Sequence, residues 1–168
     1  MARAERTATA GDALLHPAAI AAVALLLLND HVLKATSPGF LTGKLSDFAG
    51  LAFFPLVLLS AWELATAAGG RWRGPSSGPL VVATLATAVV FVGTKASAPG
   101  NAATGAALGW LQWVAASPLA AIGVTSSPVY RPVVVVQDPT DLAGLAALAV
   151  CLFIGHSRIA SSHQWGDQ

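Results

Sequence analysis

Four stretches of this chain run almost without a charged residue, at about Ala18–Leu33, Phe48–Ala68, Leu80–Thr94 and Leu142–Ile159. A membrane span needs roughly 20 apolar residues to cross the hydrocarbon core, and each stretch reaches or approaches that length. The first and third are slightly short, which tilt or snorkelling of flanking residues absorbs. The polar text between the runs occurs twice. Lys34-Ala35-Thr36-Ser37-Pro38-Gly39 closes the first run, and Lys95-Ala96-Ser97-Ala98-Pro99-Gly100 closes the third. Ser46-Asp47-Phe48-Ala49-Gly50-Leu51-Ala52 opens the second, and Thr140-Asp141-Leu142-Ala143-Gly144-Leu145-Ala146 opens the fourth. The pattern predicts an all-α polytopic membrane helical bundle of four transmembrane helices, built as two duplicated hairpins in a single integral membrane domain spanning 1–168. Repeat 1 covers about 17–68 and repeat 2 about 79–160.

The second repeat carries an insertion at about 101–137. Asn101–Val124 is apolar and holds Trp110, Gln112 and Trp113, which suits an amphipathic interfacial helix with both indoles at headgroup level. The alternative is a fifth span, which would place the two copies of the repeated text on opposite faces. Tyr130–Gln137 is rich in Pro and Val and predicts an extended segment, a short external strand or lip before the last helix.

Composition supports a lipid solvent. Hydrophobic residues make up 55% of the chain and charged residues 10%, against about 25% charged in soluble domains. A net charge of +1 gives no field for nucleic acid. The lone Cys151 excludes an intrachain disulfide and a cysteine metal site. Arg3 and Arg6 ahead of a short apolar run imitate a secretory leader. No convincing small-x-small site follows Leu28, however, and the run is duplicated, so it is expected to stay as a helix. Arg3, Arg6, Arg71, Arg73 and Arg158 on one side outnumber Lys34, Lys44, Lys95 and Arg131 on the other. This weak bias places the termini in the cytoplasm of a bacterial inner membrane. Two parallel two-span repeats would be related by an axis along the membrane normal.

In the four-span reading the ionisable residues gather at one face. Lys34 and Lys95 end the first and third helices, while Asp47 and Asp141 start the second and fourth. Each sign complements its helix dipole, a contribution of about 0.3–1 kcal/mol apiece. Asp138-Pro139-Thr140-Asp141 reads as an N-cap followed by Pro and an acid in the first turn, and Ser46 offers a similar cap. Simple finishing of helix ends therefore explains much of this set. The first copy is richer, because Asn29-Asp30-His31 precedes Lys34, and Asp30 and Lys34 are i,i+4 neighbours able to pair. Lys44 stands within reach of Asp47 or of a partner's carboxylate. Glu63 near the other end of the second helix reads as a solvated, snorkelling acid, and His156 beside Arg158 as an interface residue. Pro55 is a candidate kink, and His16-Pro17 a helix boundary. The chain holds no HExxH, GxSxG or Walker loop.

Gly43-Lys44-Leu45-Ser46-Asp47-Phe48-Ala49-Gly50-Leu51-Ala52-Phe53-Phe54 resembles the signature opening the second helix of the VanZ-like membrane proteins. Lys44 and Phe48 match, and Asp47 stands where that family has His. Arg131 and Asp141 resemble the Arg and Asp that precede its last helix, with Leu145 in place of Asn. The resemblance implies a small four-helix envelope protein, associated in that family with glycopeptide (teicoplanin) resistance.

The expectation is a non-catalytic, cofactor-free protein that meets a lipid, lipid-linked or peptide partner at the outer face. Its contact set is Asp30, His31, Lys34, Lys44, Asp47, Lys95 and Asp141. Its partners are the bilayer, an anionic lipid or lipid-linked substrate, and further helices or a second copy of the chain held through small-residue faces. The alternatives are a proton- or ion-coupled carrier relaying through Asp30 and His31 and, further off, an intramembrane enzyme on lipid phosphates using His31.

Overall fold

The computed structural model describes residues 8–37 and 39–163. Arg3 and Arg6, invoked above for orientation and for a leader, lie outside the described residues, as does Pro38. Among the described residues the only regular secondary structure is helix, with no strand. A short 3-10 helix, Asp12–Leu15, precedes five long helices. They are α1 (Pro17–Thr36), α2 (Phe40–Ala68), α3 (Ser77–Ala96), α4 (Ala98–Ala121) and α5 (Pro139–Ser162). Four of these, α1, α2, α3 and α5, are long and apolar enough to cross a membrane.

Local sequence accounts for the ends. His16 caps α1, its Nδ1 accepting the Ala18 amide at 3.2 Å, with Pro17 in the first helical position. Near its end α1 widens into a π turn over Asn29–Leu33, where the Lys34 amide bonds the Asn29 carbonyl. α2 begins at Phe40, eight residues before its apolar run. The Thr42 hydroxyl accepts from the Gly39 amide (3.1 Å) and donates to the Gly39 carbonyl (2.8 Å). This corrects the expectation that Ser46 and Asp47 start the helix, because both sit two turns inside it. At 29 residues, α2 is roughly 44 Å long at 1.5 Å per residue, against a hydrocarbon core of about 30 Å. Its polar first turns therefore have length to spare. The helix continues unbroken through the buried Pro55. Asp138 caps α5 as expected, its Oδ1 accepting the Thr140 amide at 2.9 Å. The helix opens in 3-10 form over Pro139–Ala147.

The chain divides into two compact units, Met1–Ala88 with Ala143–Gln168, and Val89–Leu142. The boundaries fall inside α3 and α5. In the first unit α1 packs on α2, and α2 packs on the α-helical part of α5. Leu56 and Leu59 of α2, Leu80 of α3 and Ile154 of α5 form the core. Small residues allow the close approach, as expected between membrane helices. A methyl group at Gly155 would collide with the Leu80 side chain.

In the second unit a single residue, Ser97, joins α3 to α4 and caps the latter, its Oγ accepting the Gly100 amide at 3.1 Å. The insertion is thus a helix followed by an extended strap, and no ladder forms. The strap lies along α4. The Val133 amide bonds the Gly105 carbonyl at 2.9 Å. The Asn101 side chain donates through Nδ2 to the carbonyls of Thr94 and Val135, both at 3.1 Å. Gly105 and Gly109 are what let backbone meet backbone, for a methyl at either would overlap the carbonyls of Val133 and Arg131.

Candidate functional site

The π turn builds a polar cluster at the end of α1. Asn29 is wholly buried. Its Nδ2 donates to the Thr42 carbonyl at 2.7 Å and to Ser46 Oγ at 2.6 Å, tying α1 to the first turns of α2. Ser46 in turn donates to Asp30 Oδ1 at 2.6 Å, and Lys34 Nζ reaches the same oxygen at 2.7 Å. Because the Ser46 proton goes to the carboxylate, Ser46 can only accept from Asn29, which fixes the orientation of the amide. The chain of bonds runs from a buried amide out to a half-exposed ion pair, Asp30 and Lys34 being 41% and 42% exposed. Asn29 Oδ1 is left buried without a hydrogen-bond partner. π turns recur at functional sites, and this one places Asn29 inward while Asp30, His31 and Lys34 stay accessible.

The expected site residues separate by environment. The i,i+4 pairing of Asp30 with Lys34 is present. His31 is exposed and its Nδ1 lies 3.1 Å from the Leu27 carbonyl one turn back. Lys44, half-buried on α2, sits 4.3 Å from the centroid of the Phe40 ring, within cation–π range. Asp47 lies one residue beyond Ser46 on the same turn. In the second unit Lys95 and Asp141 meet at 2.7 Å with side chains only 8% and 9% exposed. A charge pair that dry persists only when its partners and hydrogen bonds are in place.

Sequence reasoning underrated another cluster. Glu63 is not a solvated acid, since it is 3% exposed and forms a two-point bridge to Arg158, with Nη1–Oε1 and Nη2–Oε2 both at 3.0 Å. Gly11 donates its amide to Glu63 Oε2 at 2.9 Å. Arg158 also pairs with Asp12 and bonds the Thr9 carbonyl. The guanidinium thus gathers the N-terminal 3-10 helix, α2 and α5 at one point. His156, by contrast, is exposed and bonds only back to the Leu152 carbonyl. Asn29 and Ser46 were visible as polar residues flanking the site, but their contact spans 17 positions and no local rule announces it.

Among the described residues no group of three His, Cys, Asp or Glu side chains is placed to hold a metal ion. The α1–α2 cluster offers an ammonium, an imidazole and a hydroxyl hydrogen-bonded to a carboxylate, a set suited to gripping an anion. Comparison with known protein families, curated proteins and solved structures finds no match to this chain. The four apolar helices are consistent with a small integral membrane protein.

Proposed function

We propose that the protein is a small, non-catalytic, multi-pass component of a bacterial envelope membrane that holds the anionic headgroup of a lipid or lipid-linked partner at the end of α1. Kinship with the VanZ-like proteins, resting on Gly43–Phe54, belongs to the same proposal. The observation that carries it is the half-exposed Asp30–Lys34 pair, seated through Ser46 on buried Asn29. An ammonium has three donors, and Asp30 holds Lys34 in place while leaving donors to face outward. Charge-assisted bonds of this kind are the strong ones in phosphate recognition. His31 stands exposed on the same turn. Lys95 and Asp141, buried against each other, serve to hold the second unit together rather than to meet the ligand.

The carrier alternative needs ionisable groups deep in several helices. No Asp, Glu, Lys, Arg or His lies in Pro17–Asn29, Phe48–Trp62, Ser77–Thr94 or Leu142–Gly155, so the middles of all four spans are uncharged.

The test uses protein in nonionic detergent and short-chain dihexanoyl lipids. Dihexanoyl phosphatidic acid should bind in preference to dihexanoyl phosphatidylcholine. Lys34→Gln should weaken that binding at least tenfold, the loss of one hydrogen bond to a charged group being about 1.5–3 kcal/mol. Equal binding of the two lipids, or an unchanged Lys34→Gln affinity, would overturn the reading.

A further inference from the structure

A second feature of the first unit lies on residues that the proposed headgroup site does not use. Leu58 and Trp62 of α2 face Pro79, Val82, Ala83 and Ala86 of α3 across an open groove of about 330 Å³. Its walls are almost entirely hydrocarbon. From Pro79 to Ala86 the groove follows about 10 Å of helix axis at 1.5 Å per residue. Both walls belong to helices long and apolar enough to span a membrane, so the groove opens toward lipid tails.

The turn joining the same two helices carries Arg71-Trp72-Arg73. Its backbone is folded back on α2, the amides of Arg71 and Trp72 both bonding the Thr66 carbonyl, at 2.8 and 3.2 Å. Gly70 makes the reversal with φ +67°, a value few side chains adopt. Both arginines are exposed, and among the described residues neither has an acidic partner. Trp72 Nε1 is buried with no acceptor, an unusual condition for a buried indole, which normally finds one. The turn therefore offers positive charge at the end of the hairpin nearest Trp62 and Pro79.

We infer that this hairpin binds one anionic phospholipid, an acyl chain lying in the α2–α3 groove and the phosphate at Arg71 and Arg73. Basic pockets between membrane helices take anionic headgroups in this way. The hydrocarbon walls select a lipid over a free phosphate, and the two cations select an anionic lipid over a zwitterionic one.

Native mass spectrometry of the detergent-solubilised full chain tests this, using an equimolar mixture of dioleoyl-phosphatidylglycerol and dioleoyl-phosphatidylcholine. Working in the Lys34→Gln background keeps the result independent of the headgroup site proposed above. One phosphatidylglycerol should be retained in preference to phosphatidylcholine. Arg71→Gln/Arg73→Gln should weaken it about 30-fold, two charges at roughly 1 kcal/mol each near an anionic surface. Ala86→Phe, or Val82→Phe should the first fail to fold, fills the groove and should release the lipid with both arginines intact. Glycerol 3-phosphate should not compete. Equal retention of the two lipids, a preference that survives the double arginine variant, retention unaffected by a filled groove, or competition by glycerol 3-phosphate would each overturn the inference.

Discussion

Arg158 is the residue on which one end of the first unit converges. Two carboxylates, Glu63 and Asp12, share its guanidinium, and the backbone of Thr9 takes a further bond. Removing the cation leaves two acids facing each other, one of them 3% exposed. Removing Glu63 instead leaves Arg158 still paired with Asp12. Breaking a buried pair by deleting one partner costs on the order of 3–5 kcal/mol, chiefly through the charge left behind. Arg158→Leu should therefore fall in that range and Glu63→Leu clearly below it, as measured by unfolding in mixed micelles with increasing dodecyl sulfate. The same asymmetry should appear at the N-terminus. Arg158→Leu frees the Asp12–Leu15 helix, while Glu63→Leu removes only its Gly11 amide bond. Equal losses for the two variants would mean that Arg158 is not shared and that Asp12 contributes nothing.

At the scale of elements, the pairing of α4 with the strap depends on two glycines. A methyl at Gly109 meets the Arg131 carbonyl and Pro132 Cα, which are backbone atoms that no rotamer change can move aside. Gly109→Ala should therefore lift the strap, while helix propensity alone would favour α4 by up to about 1 kcal/mol. The two effects have opposite signs and separate in hydrogen exchange. The Val133 amide, bonded to Gly105, should exchange at least tenfold faster, an opening cheaper by about 1.4 kcal/mol, while the amides of α4 hold or slow. Faster exchange throughout α4 would mean that the glycines serve the helix and not the contact. This close approach was hidden in the sequence, where Gly105 and Gly109 read only as a small-residue face. The spans were legible because a bilayer imposes a test of length and composition that needs no knowledge of partners. Helix ends were not, since apolar patterning stops where side chains turn polar while backbone bonding goes on, so α2 reaches back from Phe48 to Phe40. The Asp30–Lys34 pair could be read because helical geometry fixes i,i+4 neighbours. Glu63 and Arg158, 95 positions apart, share no local rule, and Glu63 alone looks like any acid near a membrane surface.

For the whole molecule the deciding issue is whether α4 crosses the bilayer. It is 24 residues long, and no charge occurs from Ala96 to Tyr130, so length and charge alone would permit a fifth span. The strap argues otherwise. An extended backbone has no internal hydrogen bonds, and hydrocarbon tolerates it only where protein or water satisfies it. Here the strap lies beside the first half of α4, with the side chains of Tyr130 and Arg131 exposed and Val134 93% exposed. That arrangement fits the headgroup region, where water reaches the open amides and where Trp110 and Trp113, both exposed, are at their preferred depth. In a Cys151→Ser background, single cysteines at Ser37, Ser76 and Ser126 should therefore label with a membrane-impermeant maleimide in a fixed pattern. Ser37 and Ser126 should react from one side and Ser76 from the other, in intact cells against inverted vesicles. Were Ser126 to group with Ser76, α4 would span, and the two copies of the Lys-to-Asp text would lie on opposite faces. The two hairpins could then not be parallel, and a carrier with access from both faces would displace a one-sided binding protein as the better reading.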